Sequence, residues 1–157
     1  MRRLLILVAA VAALFATYVG FSPAPKTAVA FNNRGMAYQA KGQYDHAIAD
    51  FDEAIRRDPR LAPAFYNRGL AYGSKDQYDR AIVDFDEAIR LDSRFAFAFN
   101  SRASVYELKA QYDRAIADFD QAISLDPKYT LALIGRAIEC LKSSPPEFDP
   151  VLHLTGK

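Results

Sequence analysis

The sequence predicts an all-α chain, a solenoid of stacked helical hairpins preceded by one apolar segment. Three observations predict it. The stretch YDHAIADFDEAI at Tyr44 returns as YDRAIVDFDEAI at Tyr78 and as YDRAIADFDQAI at Tyr112, each 34 residues after the last. A fixed period of this size marks a repeat array. Between these stretches lies a second helical pattern, and proline or glycine interrupts the junctions.

Residues 1–21 differ from the rest. Arg2 and Arg3 precede an apolar run from Leu4 to Ala16, which continues to Phe21 diluted by Thr17 and Gly20. Basic residues before such a run read as a signal anchor or a signal peptide. The run is just long enough to span a bilayer. An A-x-A pattern at Ala28-Val29-Ala30 offers a cleavage site, but cutting there would trim the first repeat helix. An uncleaved anchor is therefore favoured, with a cleaved signal as the alternative. Arg2 and Arg3 then stay cytoplasmic. The repeats lie outside the cytoplasm, membrane-bound in the first case and secreted or periplasmic in the second. Residues 22–27, with Pro23 and Pro25, form a short stiff linker.

The first repeat occupies 28–61. Phe31, Gly35 and Tyr38 share one face of a first helix expected over 28–41, and Gly42 and Gln43 end it. A second helix over 45–57 turns Ala47, Phe51 and Ala54 inward. Asp58-Pro59 stops it, since proline pushes the preceding residue out of the helical region. The second repeat, 62–95, places Phe65, Gly69 and Tyr72 opposite Ala81, Phe85 and Ala88, with Ser93 in place of proline. The third, 96–129, places Phe99, Ala103 and Tyr106 opposite Ala115, Phe119 and Ala122. A partial fourth, 130–142, is a lone first helix with Leu133, Ala137 and Cys140 expected on its inner face. Ser143-Ser144-Pro145-Pro146 ends the pattern, and 143–157 is a tail. Asp149-Pro150 is a helix-start signal there. Val151, Leu152 and Leu154 could pack back as a cap on the last helix.

These small residues, aromatics and prolines at a constant period resemble the tetratricopeptide repeat family over residues 28–142. One hairpin cannot bury its own face, so neighbours stack. The resemblance implies a right-handed superhelix whose first helices line a concave groove. Its groove positions fall here on Val29, Asn32, Asn33 and Met36, then on Pro63, Tyr66, Asn67 and Leu70. Next come Phe97, Asn100, Ser101 and Ser104, and an apolar end at Leu131, Ile134 and Ile138.

Asn33 and Asn67 are equivalent positions. A side-chain amide both donates and accepts, so such residues can hold an extended backbone irrespective of its sequence. They look like the asparagine ladder of the O-linked N-acetylglucosamine transferase superhelix, broken here at Ser101 and Gly135. The family's clamp for chaperone terminal carboxylates needs lysine and arginine in the groove. Asn32, Met36, Phe97 and Ser101 stand at those positions, so that mode is not expected. The expected contacts are Asn33, Met36, Tyr66, Asn67, Leu70, Phe97, Asn100 and Ser101.

Arg34, Arg68, Arg102 and Arg136 recur in the first helices. Asp50, Asp84 and Asp118, with Asp52, Asp86 and Asp120, recur in the second. This predicts an interhelical Arg–Asp ladder of structural role, each exposed pair worth roughly 0–1 kcal/mol.

The net charge of +1 gives no nucleic-acid footprint. One cysteine excludes an internal disulfide, and the two histidines sit in no ligand-spaced motif. No cofactor, metal or catalytic constellation is expected. The expected function is a non-enzymatic adaptor or scaffold, membrane-tethered or exported, that binds peptide segments of partner proteins. The alternative is a self-assembling envelope component, a homo-oligomer.

Overall fold

A computed structural model describes residues 26–143, and every regular element among them is an α-helix. Seven run in order: α1 (Ala28–Ala40), α2 (Tyr44–Arg57), α3 (Ala62–Gly73), α4 (Tyr78–Leu91), α5 (Ala96–Leu108), α6 (Tyr112–Leu125) and α7 (Thr130–Ser143). Odd-numbered helices are the first helices of the hairpins and even-numbered ones the second. Among these residues no helix is long and apolar enough to cross a membrane. The expected anchor at 1–21, and the tail beyond Ser143, lie outside the described residues.

The same local devices close every hairpin. A residue of positive φ ends the turn after each first helix: Gly42 (φ 71), Asp76 (φ 57) and Ala110 (φ 55). The following amides of Gln43, Gln77 and Gln111 then bond back to the carbonyls of Tyr38, Tyr72 and Tyr106. Only the first repeat uses glycine, the residue that takes this conformation freely. Each second helix ends at an aspartate in extended geometry, Asp58, Asp92 and Asp126. Its carboxylate accepts from the amide two residues on, at 3.0 Å in each case. The stop therefore needs no proline, and Ser93 changes nothing.

Packing follows the period. Six alanines of the second helices, Ala47, Ala54, Ala81, Ala88, Ala115 and Ala122, are fully buried. Phe51, Phe85 and Phe119 fill the space between their own first helix and the next one. A Cβ on Gly35 or Gly69 would lie 2.6 or 2.7 Å from the ring of Phe51 or Phe85. In the third repeat Ala103 replaces that glycine, and the glycine reappears across the ring, at Gly135. A Cβ there would meet Phe119 at 2.5 Å. The extra methyl on one side of the ring is matched by a missing one on the other.

First helices of neighbouring repeats touch one another, whereas second helices of neighbouring repeats do not. Elements that approach more closely lie on the inside of a curved stack. The first helices therefore line the concave side, where the groove was expected.

The last helix departs from expectation. Leu133 and Ala137 are exposed and Cys140 is half-buried, so they do not form an inner face. The buried residues are Ala132 and Glu139, with Gly135 against Phe119. The reason is that α7 packs chiefly on α6. Leu133, Ala137 and Cys140 face the side where a following second helix would lie.

Candidate functional site

The floor of the groove is a row of hydrogen bonds between adjacent first helices. Asn67 on α3 donates its amide to the Asn32 side-chain carbonyl on α1 at 2.9 Å. Asn32 in turn donates to the Met36 sulfur at 3.7 Å. One repeat on, Ser101 on α5 meets the Tyr66 hydroxyl of α3 at 3.4 Å. The next rung would join residue 135 to Asn100. Gly135 has no side chain to offer, and the side-chain Oδ1 of Asn100 is buried without a partner among the described residues. The glycine that accommodates Phe119 thus also breaks the polar row.

This arrangement sorts the expected contact residues. Asn33 and Met36 are exposed on the rim, and Asn67 is buried, its amide committed to Asn32. Tyr66, Leu70, Asn100 and Ser101 are half-buried on the floor and walls. Asn33 and Asn67 occupy equivalent positions but do not present equivalent amides, because among the described residues Asn67 has a first helix on its N-terminal side and Asn33 does not. Leu70, Ser101, Ser104, Val105 and Leu108 line a cleft of about 370 Å³ between α3 and α5.

Toward the C-terminal end the groove becomes apolar. Phe97, Leu131, Ile134 and Ile138 are 42–64% exposed. Tyr129, which sequence reasoning did not single out, packs edge-on against Phe97 with ring centroids 5.1 Å apart. Burial pushes its hydroxyl pKa up, helped by the nearby Tyr66 and Asp126. Its position just before α7 was the one available signal. The charges at this end neutralise each other: Lys142 donates to Glu107 at 2.6 Å and to Glu139 at 2.9 Å.

The arginines of the first helices point elsewhere. Arg34 grips Asp50 through two bonds of 2.6 Å. Arg68 grips Asp84 at 2.8 and 2.6 Å and also reaches Asp52 of the preceding repeat at 2.5 Å. Arg102 does the same with Asp118 and Asp86, and Arg136 bonds Asp120. The interhelical ladder is present, with one correction. Its Asp50, Asp84 and Asp118 rungs are 5%, 3% and 7% exposed, not surface pairs, because each fork closes inside its hairpin. Burial pushes the Asp84 carboxyl above its ordinary range, and the Arg68 bonds offset part of that. Burial also opposes the charge on Arg68, but its carboxylate partners outweigh it and hold the guanidinium above its usual value. The ladder leaves these cations unavailable to the groove. Among the described residues, no three His, Cys, Asp or Glu side chains are grouped to hold a metal ion.

The tetratricopeptide repeat profile matches residues 28–61, 62–95 and 96–129. The chain belongs to the tetratricopeptide repeat family. No curated protein matches it significantly. Among solved structures it is similar to the first tetratricopeptide domain of Spaghetti (RPAP3) bound to the HSP90 peptide SRMEEVD. That match has 21% identity and a TM-score of 0.73, covering 74% of this chain and 93% of the other. It is also similar to the second such domain of human RPAP3 in complex with the HSP70 peptide SGPTIEEVD. Here identity is 26%, the TM-score 0.69, and coverage 72% and 94%. The Arabidopsis OM64 domain matches at 23% identity and TM-score 0.72, covering 74% and 96%.

Within this tetratricopeptide domain the variation is concentrated on the groove. The scaffold positions repeat from hairpin to hairpin. The groove positions read Asn32, Tyr66, Asn100 and Ile134 along one row and Asn33, Asn67, Ser101 and Gly135 along the next.

Proposed function

We propose that this domain is a non-enzymatic interaction module that holds an uncharged, largely apolar segment of a partner protein along its first-helix groove. The observation that carries the reading is the groove's charge. Met36, Leu70, Phe97, Leu131, Ile134 and Ile138 offer apolar surface. The repeated arginines are bound to aspartates, and Lys142 is paired with Glu107 and Glu139. Relatives solved with chaperone peptides support peptide holding as the mode. The peptides in those structures end in EEVD, which calls for cations that this groove lacks. An amphipathic helix or an extended strand would seat its apolar residues at the α7 end.

The reading includes an expected tether through residues 1–21, with the repeats outside the cytoplasm. It rests on Arg2 and Arg3 before the apolar run from Leu4 to Ala16.

A peptide-display selection on the full chain tests the groove. Selected segments will be uncharged and apolar, SGPTIEEVD will not bind above background, and Phe97→Asp with Ile138→Asp will abolish capture without loss of helix signal. Enrichment of acidic C-terminal peptides, or binding indifferent to both substitutions, would overturn it. The mass of the mature N-terminus and protease access in intact cells test the tether.

A further inference from the structure

Of the five glycines among the described residues, four have a structural reason to be glycine. Gly35, Gly69 and Gly135 make room for a phenylalanine ring, and Gly42 takes a positive φ. Gly73 does neither. It ends α3 without a positive φ, and a Cβ there would meet nothing within 4 Å.

What Gly73 leaves is space. It lines the cleft of about 370 Å³ between α3 and α5, and a second small residue, Ser104, lines the same cleft from α5. In the other repeats the Gly73 position carries Gln39, Glu107 and Leu141, and the Ser104 position carries Met36, Leu70 and Ile138. The two omissions therefore coincide at one step of the stack. At the preceding step Gln39 and Leu70 hold these positions. At the following step Glu107 and Ile138 hold them, with Glu107 tied to Lys142.

The lining defines what fits. Phe85 and Val105 are buried beneath the cleft, and the exposed Leu108 stands at its mouth. Among the described residues no charged side chain lines it. Its hydroxyls are engaged within the chain. Ser74 donates to the Leu70 carbonyl at 3.0 Å, Ser104 to the Asn100 carbonyl at 3.2 Å and Tyr78 to Asp76 at 2.7 Å, while Ser101 meets the Tyr66 hydroxyl. A charged or amide side chain entering here would lose its water with little to replace it. An apolar one gains by leaving water.

We propose that this cleft is a specificity pocket of the groove, taking one aliphatic side chain of leucine or methionine size from the bound partner segment. That side chain stands in for those that Gly73 and Ser104 lack. The inference rests on the groove reading above and names the step, α3 to α5, at which the segment is read.

The full chain, labelled at its leucine and valine methyls, is titrated with N-acetyl-leucine methylamide and followed by NMR. The methyls of Leu70, Val105 and Leu108 will shift along a saturating curve, and N-acetyl-glutamine methylamide will leave them in place. Gly73→Leu and, separately, Ser104→Ile fill the gap from one wall each, and each will weaken the response by at least about tenfold, as expected when one apolar side chain loses its pocket. Gly73→Leu will not lower the unfolding midpoint, since its Cβ enters open space and leucine favours the helix, so a lost response there is not a lost fold. Methyls that stay still in the wild type, or move equally with the glutamine probe or in Gly73→Leu, overturn the proposal. Shifts that follow protein concentration without any probe assign the cleft to a second copy and overturn it equally. If the methyls stay still while display-selected segments bind, the pocket is refuted and the groove reading stands. If they respond while no segment is selected, the pocket stands and the groove reading is refuted.

Discussion

Asp84→Ala is the most informative single substitution. Asp84 is 3% exposed and accepts two bonds from Arg68, at 2.8 and 2.6 Å. Removing one member of a buried pair typically costs about 3–5 kcal/mol, since the other charge is left in a poor environment. Two features of this site reduce that. Arg68 keeps Asp52 at 2.5 Å and remains 19% exposed, so it is not stranded. Burial already penalises the Asp84 carboxylate, and that penalty disappears with the side chain. The expected loss is therefore about 2–3 kcal/mol, still well above the ~0–1 kcal/mol of an exposed pair. Urea unfolding followed by circular dichroism at 222 nm measures it. A cycle with Arg68→Ala separates the pair energy from the cost of truncation. Asp45→Ala is the control: it also breaks an ion pair between repeats, to Lys75 in the turn after α3, but its side chain is 84% exposed and no measurable change is expected. If Asp84→Ala moves stability no more than Asp45→Ala does, the ladder is decoration and the reasoning from burial fails.

Three further outcomes follow from the same packing. Gly69→Ala puts a methyl 2.7 Å from the Phe85 ring and should cost roughly 1–3 kcal/mol in unfolding experiments, with Ser101→Gly recovering more than half by letting the ring shift as Phe119 does. Ala110→Gly relieves a left-handed alanine (φ 55) and should raise stability by about 0.5–1 kcal/mol, the αL cost less the entropy of glycine; a lower denaturation midpoint would contradict it. Glu53 is held down to about 2 from an ordinary 4.5, by hydrogen bonds from Arg56 and then Arg57. Its folded value is the lower one, so its contribution is present above pH 4.5 and is lost as pH falls toward 2. Asp84, raised by burial, runs the other way. Glu53→Gln should therefore flatten the acid limb of a stability–pH profile between pH 4.5 and 2, and an unchanged limb would refute the assignment.

Much of this was legible because the repeat copies itself. Ala81, Phe85 and Ala88 recur at one spacing in every second helix, and a pattern seen three times constrains packing more than any single occurrence. The stop at Asp58 was read as a proline effect, whereas the copy at Asp92, followed by Ser93, makes the same aspartate turn without proline. The groove was less legible. Asn33 and Asn67 are the same position in the repeat, but only the structure shows that Asn67 is consumed by Asn32. Glu139, one period after Val105 and two after Ala71, was visible as a break in the pattern, yet nothing in the chain alone placed it in a fully buried position beside Lys142.

The sequence by itself determined the helices, their period and the pairing of arginines with aspartates, because these depend on spacings that a helix converts directly into faces. Tertiary structure decided which side of each ring the small residue occupies, which amides are spent on one another, and which face of α7 packs on α6. Those outcomes depend on contacts between residues about one period apart, where the neighbour's presence or absence sets exposure. Leu133 and Ala137 have the spacing of a core face, and they are exposed because packing needs a partner as well as a pattern.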